Sequence, residues 1–202
     1  MRAAHLAAPV GGVDIFVNEG ADPVLANVTF PAASGWLLVP GDADYDFDIS
    51  ATGDEAADSV LSADNVSLDK GGAYTAYAYD SGEGADLGLK AEDFEIETAG
   101  NIRIDVVHVA PAAGEVDVLN ADGNAVLLAN VGVGASGTLE LPAGAYSVGL
   151  DTNNNGTPEV TFDLPSLAAG TVATAYAVSE EGGFFLYVLF SDGTTARIDP
   201  TT

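Results

Sequence analysis

The stretch Arg103-Ile-Asp-Val-Val-His-Val-Ala-Pro-Ala-Ala-Gly-Glu-Val-Asp-Val-Leu-Asn120 decides the fold, because an earlier copy of it opens the chain over residues 2–18. In each copy a histidine is followed nine positions later by an aspartate inside an apolar run, His5 by Asp14 and His108 by Asp117. A repeat with a period near half of the 202 residues makes the chain a tandem of two units of about 100 residues each. We place them at 1–95 and 96–202, with the join in the acidic segment 91–101. Further matches fix the register: Leu25-Ala-Asn-Val28 with Leu128-Ala-Asn-Val131, Ser34-Gly35 with Ser136-Gly137, and Thr75-Ala-Tyr-Ala78 with Thr174-Ala-Tyr-Ala177.

Short β-branched or aromatic runs bounded by Gly, Pro, Asn or Asp predict strands at 13–17, 24–30, 36–39, 45–49 and 73–79. The second copy repeats them at 115–119, 125–131, 138–141, 146–150, 171–179 and 184–190. Such spacing predicts an all-β chain of two tandem Greek-key, immunoglobulin-like β-sandwiches. Helix is expected to be nearly absent, with one or two turns at 54–61.

Apolar residues are 48% and charged residues 18% of the chain, which excludes a disordered acidic tail despite a net charge of −26. Five Lys and Arg face 31 Asp and Glu, so nucleic acid and anionic membrane surfaces are repelled. The acidity fits salt adaptation, or a secreted protein that binds calcium. With no cysteine there is no disulfide, thiolate nucleophile or zinc-thiolate site. The longest apolar run, 184–190, is well short of the ~20 residues of a membrane-spanning helix. No export signal precedes the first repeat, so the expectation is a mature or trimmed form of an extracellular or cell-surface protein.

One family combines these features. His108, Pro111, Val116-Asp117-Val118, Pro142-Ala-Gly144, Tyr146 and the segment 170–177 resemble the DUF4397 domain. The first copy offers His5, Pro9, Val13-Asp14-Ile15, Pro40-Gly41, Tyr45 and 71–78. Ala7 and Ala110 stand where the family usually has Ser, and Pro9 comes one residue later in register than Pro111. The resemblance implies secreted or surface-attached microbial β-domains of undefined function, and no chemistry.

The residues themselves suggest several constellations. Each His and Asp pair could be a base and its orienting carboxylate, but no nucleophile motif or zinc motif accompanies it, and no catalytic residue is assigned. A structural hydrogen bond between His and Asp is the expected use. Asp151-Thr-Asn-Asn-Asn-Gly156 matches the opening of a calcium loop, giving Asp151, Asn153, Asn155 and Glu159 as candidate Ca²⁺ ligands. Position twelve of that loop is Phe162 instead of an acid, and Asn-Asn-Gly also makes an ordinary hairpin turn. Asp42, Asp44, Asp46 and Asp48 alternate with core residues and form an acidic stripe, read as a solvated face.

The copies also differ in strand polarity. Opposite the core-facing Leu87 and Leu89 lie Asp86, Gly88 and Lys90 in the first copy, but Phe185, Tyr187 and Leu189 in the second. Trp36 and Leu38 correspond to Thr138 and Glu140. Apolar outer faces mark interfaces, within one chain or between chains. The sequence thus predicts a non-enzymatic structural or adhesive protein that self-associates through Trp36, Leu38, Phe185, Tyr187 and Leu189 into a filament, matrix or surface layer. The alternative is a calcium-dependent module for surface glycans, with Trp36 or Tyr187 as the sugar platform.

Overall fold

The computed structural model describes residues 1–123 and 125–201. They divide into two compact units, Met1–Asp93 and Phe94–Thr202. The first unit comprises β1 (Arg2–Leu6), β2 (Val13–Val17), β3 (Leu25–Val28), β4 (Ala32–Ala33), β5 (Ala43–Ala51), β6 (Leu61–Leu68), β7 (Ala73–Asp80) and β8 (Ala85–Glu92). Its two sheets run β4-β1-β7-β8 and β3-β2-β5-β6. The second unit comprises β9 (Asn101–Val109), β10 (Val116–Asn120), β11 (Val126–Val131), β12 (Ser136–Pro142), β13 (Gly144–Asp151), β14 (Val160–Leu167), β15 (Val172–Glu180), β16 (Gly183–Phe190) and β17 (Thr195–Ile198). Its sheets run β12-β9-β15-β16-β17 and β11-β10-β13-β14. Each unit is thus a β-sandwich in which the chain visits the two sheets in the same sequence. In each, the opening strand lies parallel to the strand that carries Thr-Ala-Tyr-Ala: β1 beside β7, β9 beside β15.

The repeated residues hold the repeated geometry. Asn27 and Asn130 sit at φ 51° and 54°, a left-handed conformation that asparagine tolerates better than most residues. There each N–H donates to the repeated aspartate, Asn27 to Asp14 and Asn130 to Asp117, both at 2.7 Å. The histidines turn elsewhere. His5 Nε2 lies 2.8 Å from the Gly11 carbonyl oxygen, and His108 Nε2 lies 2.6 Å from that of Gly114. The expected bond between His and Asp is therefore replaced by two separate locks, one on each loop that leaves the opening strands.

Residues 36–39 form no strand. The Ala3 N–H donates to the Ser34 hydroxyl oxygen at 3.0 Å, so a side chain replaces a ladder carbonyl and β4 ends at Ala33. Leu38 is fully exposed in consequence. The helical expectation at 54–61 shrinks to one 3₁₀ turn, Ala56–Asp58, before β6. Both β6 and β14 lack a strong strand signal, because edge strands accept polar residues and even Pro165.

The interiors are not alike. The second unit packs around Ile102, Val116, Leu150, Phe162, Leu186 and Val188, with Phe184, Phe190 and Ile198 closing the margins. In the first unit Ala63 pairs with Phe47 where Phe162 pairs with Val148, so one aromatic ring has only changed strands. Ala85 and Ala91, however, hold the register positions of Phe184 and Phe190. The first unit also lacks a counterpart of β17, whose Ala196 and Ile198 pack against the second core.

Candidate functional site

A cavity of about 320 Å³ lies in the first unit, lined by Val13, Ile15, Phe47, Ile49, Leu87 and Leu89, with Ala63, Ala76 and Ala78 contributing only methyl groups. A close-packed sandwich leaves few voids larger than a water molecule, so an opening of this size is a feature of the unit and not a packing fault. Its margin is apolar as well. Val24, Leu38, Val39 and Leu89 line the cavity and are also exposed, Val24 by 52% and Leu89 by 44%. Apolar residues gathered around an opening mark a binding surface more strongly than the same residues scattered singly.

His5 lines the cavity and is buried, with its ring edge-to-face on Phe30 at 6.3 Å. Its Nδ1 has no hydrogen-bond partner among the described residues. His108 differs, since its Nδ1 accepts the Ala110 N–H at 3.4 Å. Burial holds His108 below the ordinary 6.5, against the pull of its Gly114 bond.

The opposite face of the same sheet carries a charged network. Arg2 donates to Thr75 Oγ1 at 2.8 Å and pairs with Glu92 at 3.0 Å, with both charged side chains buried. Lys90 pairs with Glu92 at 3.0 Å, and Thr75 also donates to it. Burial by itself would raise the Glu92 pKa, but the Thr75 hydrogen bond and the Lys90 and Arg2 charges outweigh it and hold the carboxyl below 4.5. The Arg2 guanidinium lies 4.6 Å from the centre of the Trp36 ring. Trp36 is therefore half-buried, with one face engaged by a cation.

Of the other residues proposed to form interfaces, Leu38 is exposed, whereas Phe185, Tyr187 and Leu189 retain 0%, 6% and 0% exposure. The last three are buried within the chain, which corrects the expectation of an exposed apolar face on β16. Arg197 of β17 lies 3.9 Å from the centre of the Phe185 ring, its charge balanced by Glu180 and Asp199. A buried Tyr187 also has no face free to stack on a sugar. On the polar strand β12, Glu140 accepts the N–H groups of Glu97 and Thr98 and the Asn101 amide, and so holds the start of the second unit.

The loop at Asp151 is satisfied by its own donors. Asp151 accepts N–H groups from Asn153, Asn155 and Gly156 at 3.2, 3.2 and 2.6 Å. Burial would raise its pKa, and these backbone donors together with that of Asn154 bring it below the ordinary value. Glu159 accepts from Thr152 N at 2.8 Å and from the Asn153 amide at 2.5 Å, while Asn155 Oδ1 accepts the Thr157 N–H. Three of the four residues proposed as calcium ligands, Asp151, Asn155 and Glu159, thus accept hydrogen bonds from their own loop, and no cluster of three acidic or histidine side chains suited to a metal occurs among the described residues. The acidic stripe is likewise engaged across β5 and β6: Asp44 with Ser67, Asp46 with the Asn65 N–H and Asp48 with Ser62.

Fold and site together define a tandem β-sandwich protein whose first unit carries an apolar cavity open at its margin. The chain belongs to the DUF4397 family, a domain of unknown function, whose family model matches residues 1–119. That match spans the first unit and runs to β10 of the second. No curated protein matches the chain.

Sequence reasoning missed the cavity because strand polarity, which separates the two copies so clearly, is blind to side-chain size. On the lining, the exchange of Phe162 for Ala63 is masked by that of Val148 for Phe47, so comparison of the copies offered no net loss of volume to read there.

Proposed function

We propose that the protein is a non-catalytic extracellular binding module whose first unit takes up a small apolar molecule, while the second unit serves as its solid structural twin. The observation that carries this reading is the 320 Å³ apolar cavity with an exposed apolar margin. The net charge of −26 supports a setting rich in cations, outside the cell or in high salt. The test is fluorescence titration with naphthalene, an uncharged probe small enough for the cavity. Saturable binding is expected, and Ala63→Leu, which extends a side chain into the space, should weaken it about tenfold. A folded wild-type protein that shows no saturable binding would sink the reading.

The exposed Val24, Leu38, Val39 and Leu89 favour a second reading, self-association of a structural or adhesive protein through this margin into a filament, matrix or surface layer. Sedimentation velocity over a range of concentrations separates the two. Self-association predicts oligomers that dissolve in Leu38→Lys with Leu89→Lys, whereas a ligand-binding monomer sediments alike at every concentration.

A further inference from the structure

The strand β8 ends the sheet β4-β1-β7-β8, and no strand pairs with its outer side among the described residues. In the second unit the corresponding strand β16 is followed by β17, where Ile198 pairs with Leu186 and Ala196 with Val188. Leu87 and Leu89 hold the register positions of Leu186 and Val188, opposite the two alanines of Thr-Ala-Tyr-Ala. Without such a cover Leu89 is 44% exposed, whereas Val188 keeps 5%. Three bonds fix which main-chain groups of β8 point outward. The Ser81 N–H donates to the Gly84 carbonyl oxygen across the hairpin, so the even-numbered residues of β8 face β7. The Leu87 N–H donates instead to the Asp86 carboxylate at 2.8 Å, and the Ala91 carbonyl oxygen accepts from the Lys90 ammonium at 3.2 Å. The N–H and C=O groups of Ala85, Leu87, Leu89 and Ala91 therefore face away from the sheet.

This edge reads Ala85-Asp-Leu-Gly-Leu-Lys-Ala91, which is the same in both directions about Gly88 except that Asp86 is answered by Lys90. We infer that two copies of the chain join β8 to β8 in antiparallel register about Gly88, a dimer that rests on the self-association reading and gives it a closed, twofold form. In that register Leu87 lies opposite the partner's Leu89 and Ala85 opposite the partner's Ala91, so the outward groups of each strand meet those of the other as ladder bonds. Asp86 then lies opposite the partner's Lys90, and Lys90 opposite the partner's Asp86. Both side chains are available for this, because the main-chain groups that they hold at present enter the ladder. The partner's leucines cover Leu89 as β17 covers Val188. Charges on an edge strand ordinarily discourage pairing. Here they select one pairing, since a parallel arrangement sets like charge against like and a shift by two residues loses both ion pairs.

Sedimentation velocity of the full chain over a range of concentrations, in enough salt to screen the repulsion between acidic copies, should show a monomer and a dimer with no larger species. Asp86→Lys makes each chain less acidic, which by itself favours association. It nevertheless sets two lysines against each other at both ends of the ladder and should weaken the dimer about tenfold. Leu38→Lys, which lies outside the edge, should leave the dimer unchanged. Amide exchange followed by NMR reads the register directly. Protection of the Leu87, Leu89 and Ala91 amides should rise with protein concentration, while that of Gly88, already turned to β7, should stay constant. Oligomers that dissolve in Leu38→Lys but not in Asp86→Lys, or outward amides that gain no protection as oligomers form, would overturn the β8 dimer and leave self-association through the apolar margin standing. A monomer at every concentration would overturn both.

Discussion

Asn27 and Asn130 show how a single residue type recurs for a backbone reason. Each stands at positive φ and hands its N–H to the repeated aspartate. Asn130→Ala should therefore cost about 1–2 kcal/mol in urea melts, whereas Asn130→Gly should be nearly neutral. Two buried groups should make stability depend on pH in separate windows. The pKa of His108 is lowered in the folded state, so as pH falls below 6.5 the unfolded chain takes up a proton that the native one refuses, and stability drops. Glu92 is also held below its ordinary value. Its contribution is complete above 4.5 and is lost as pH falls through the folded value. Protonating the many other carboxylates relieves repulsion at the same time, so the readout is a difference between proteins. Urea melts at pH 7.0, 5.5 and 3.5 should show His108→Gln removing the first window and Glu92→Gln the second.

At the scale of elements, β7 and β8 carry two opposed demands. Toward the interior, Leu87 and Leu89 border the cavity; on the other face, the Tyr77 ring lies across Gly88, and burial pushes its hydroxyl pKa up to about 12. A Cβ at Gly88 would fall 2.1 Å from that ring. Gly88→Ala should thus be among the most damaging small substitutions, with a clearly lowered Tm, although it adds a single methyl group. The opposite sign is expected on β6. Ala63→Leu places carbon in empty space and should stabilise the protein by about 0.5–2 kcal/mol, measured in the absence of ligand. Thermal melts of the two variants side by side distinguish a hollow first unit from a filled one, since a filled interior would be destabilised by both.

For the whole molecule, charge sets the response to ions. Thirty-one acidic residues against five basic ones repel one another, and added salt screens that repulsion, so Tm should rise with NaCl between 0.1 and 2 M. Calcium should do no more than magnesium at equal ionic strength, because the oxygens of Asp151, Asn155 and Glu159 already accept hydrogen bonds from their own loop. A rise in Tm specific to calcium would instead identify that loop as a metal site. The tandem β-sandwich was legible in the sequence, because strand alternation and the spacing of His5 and Asp14 against His108 and Asp117 are local signals written twice. The lengths of the ladders were less so, since Ser34 interrupts β4 by a side-chain bond that no alternation announces. Exposure and cavity volume were not legible. Phe185, Tyr187 and Leu189 read as an outer apolar face, and only the folded chain shows them covered. The hollow in the first unit likewise depends on which small residues face one another across two sheets. Alternation fixes the side on which a residue points, but volume and solvent contact are properties of all its neighbours at once, and those are assembled only by the tertiary fold.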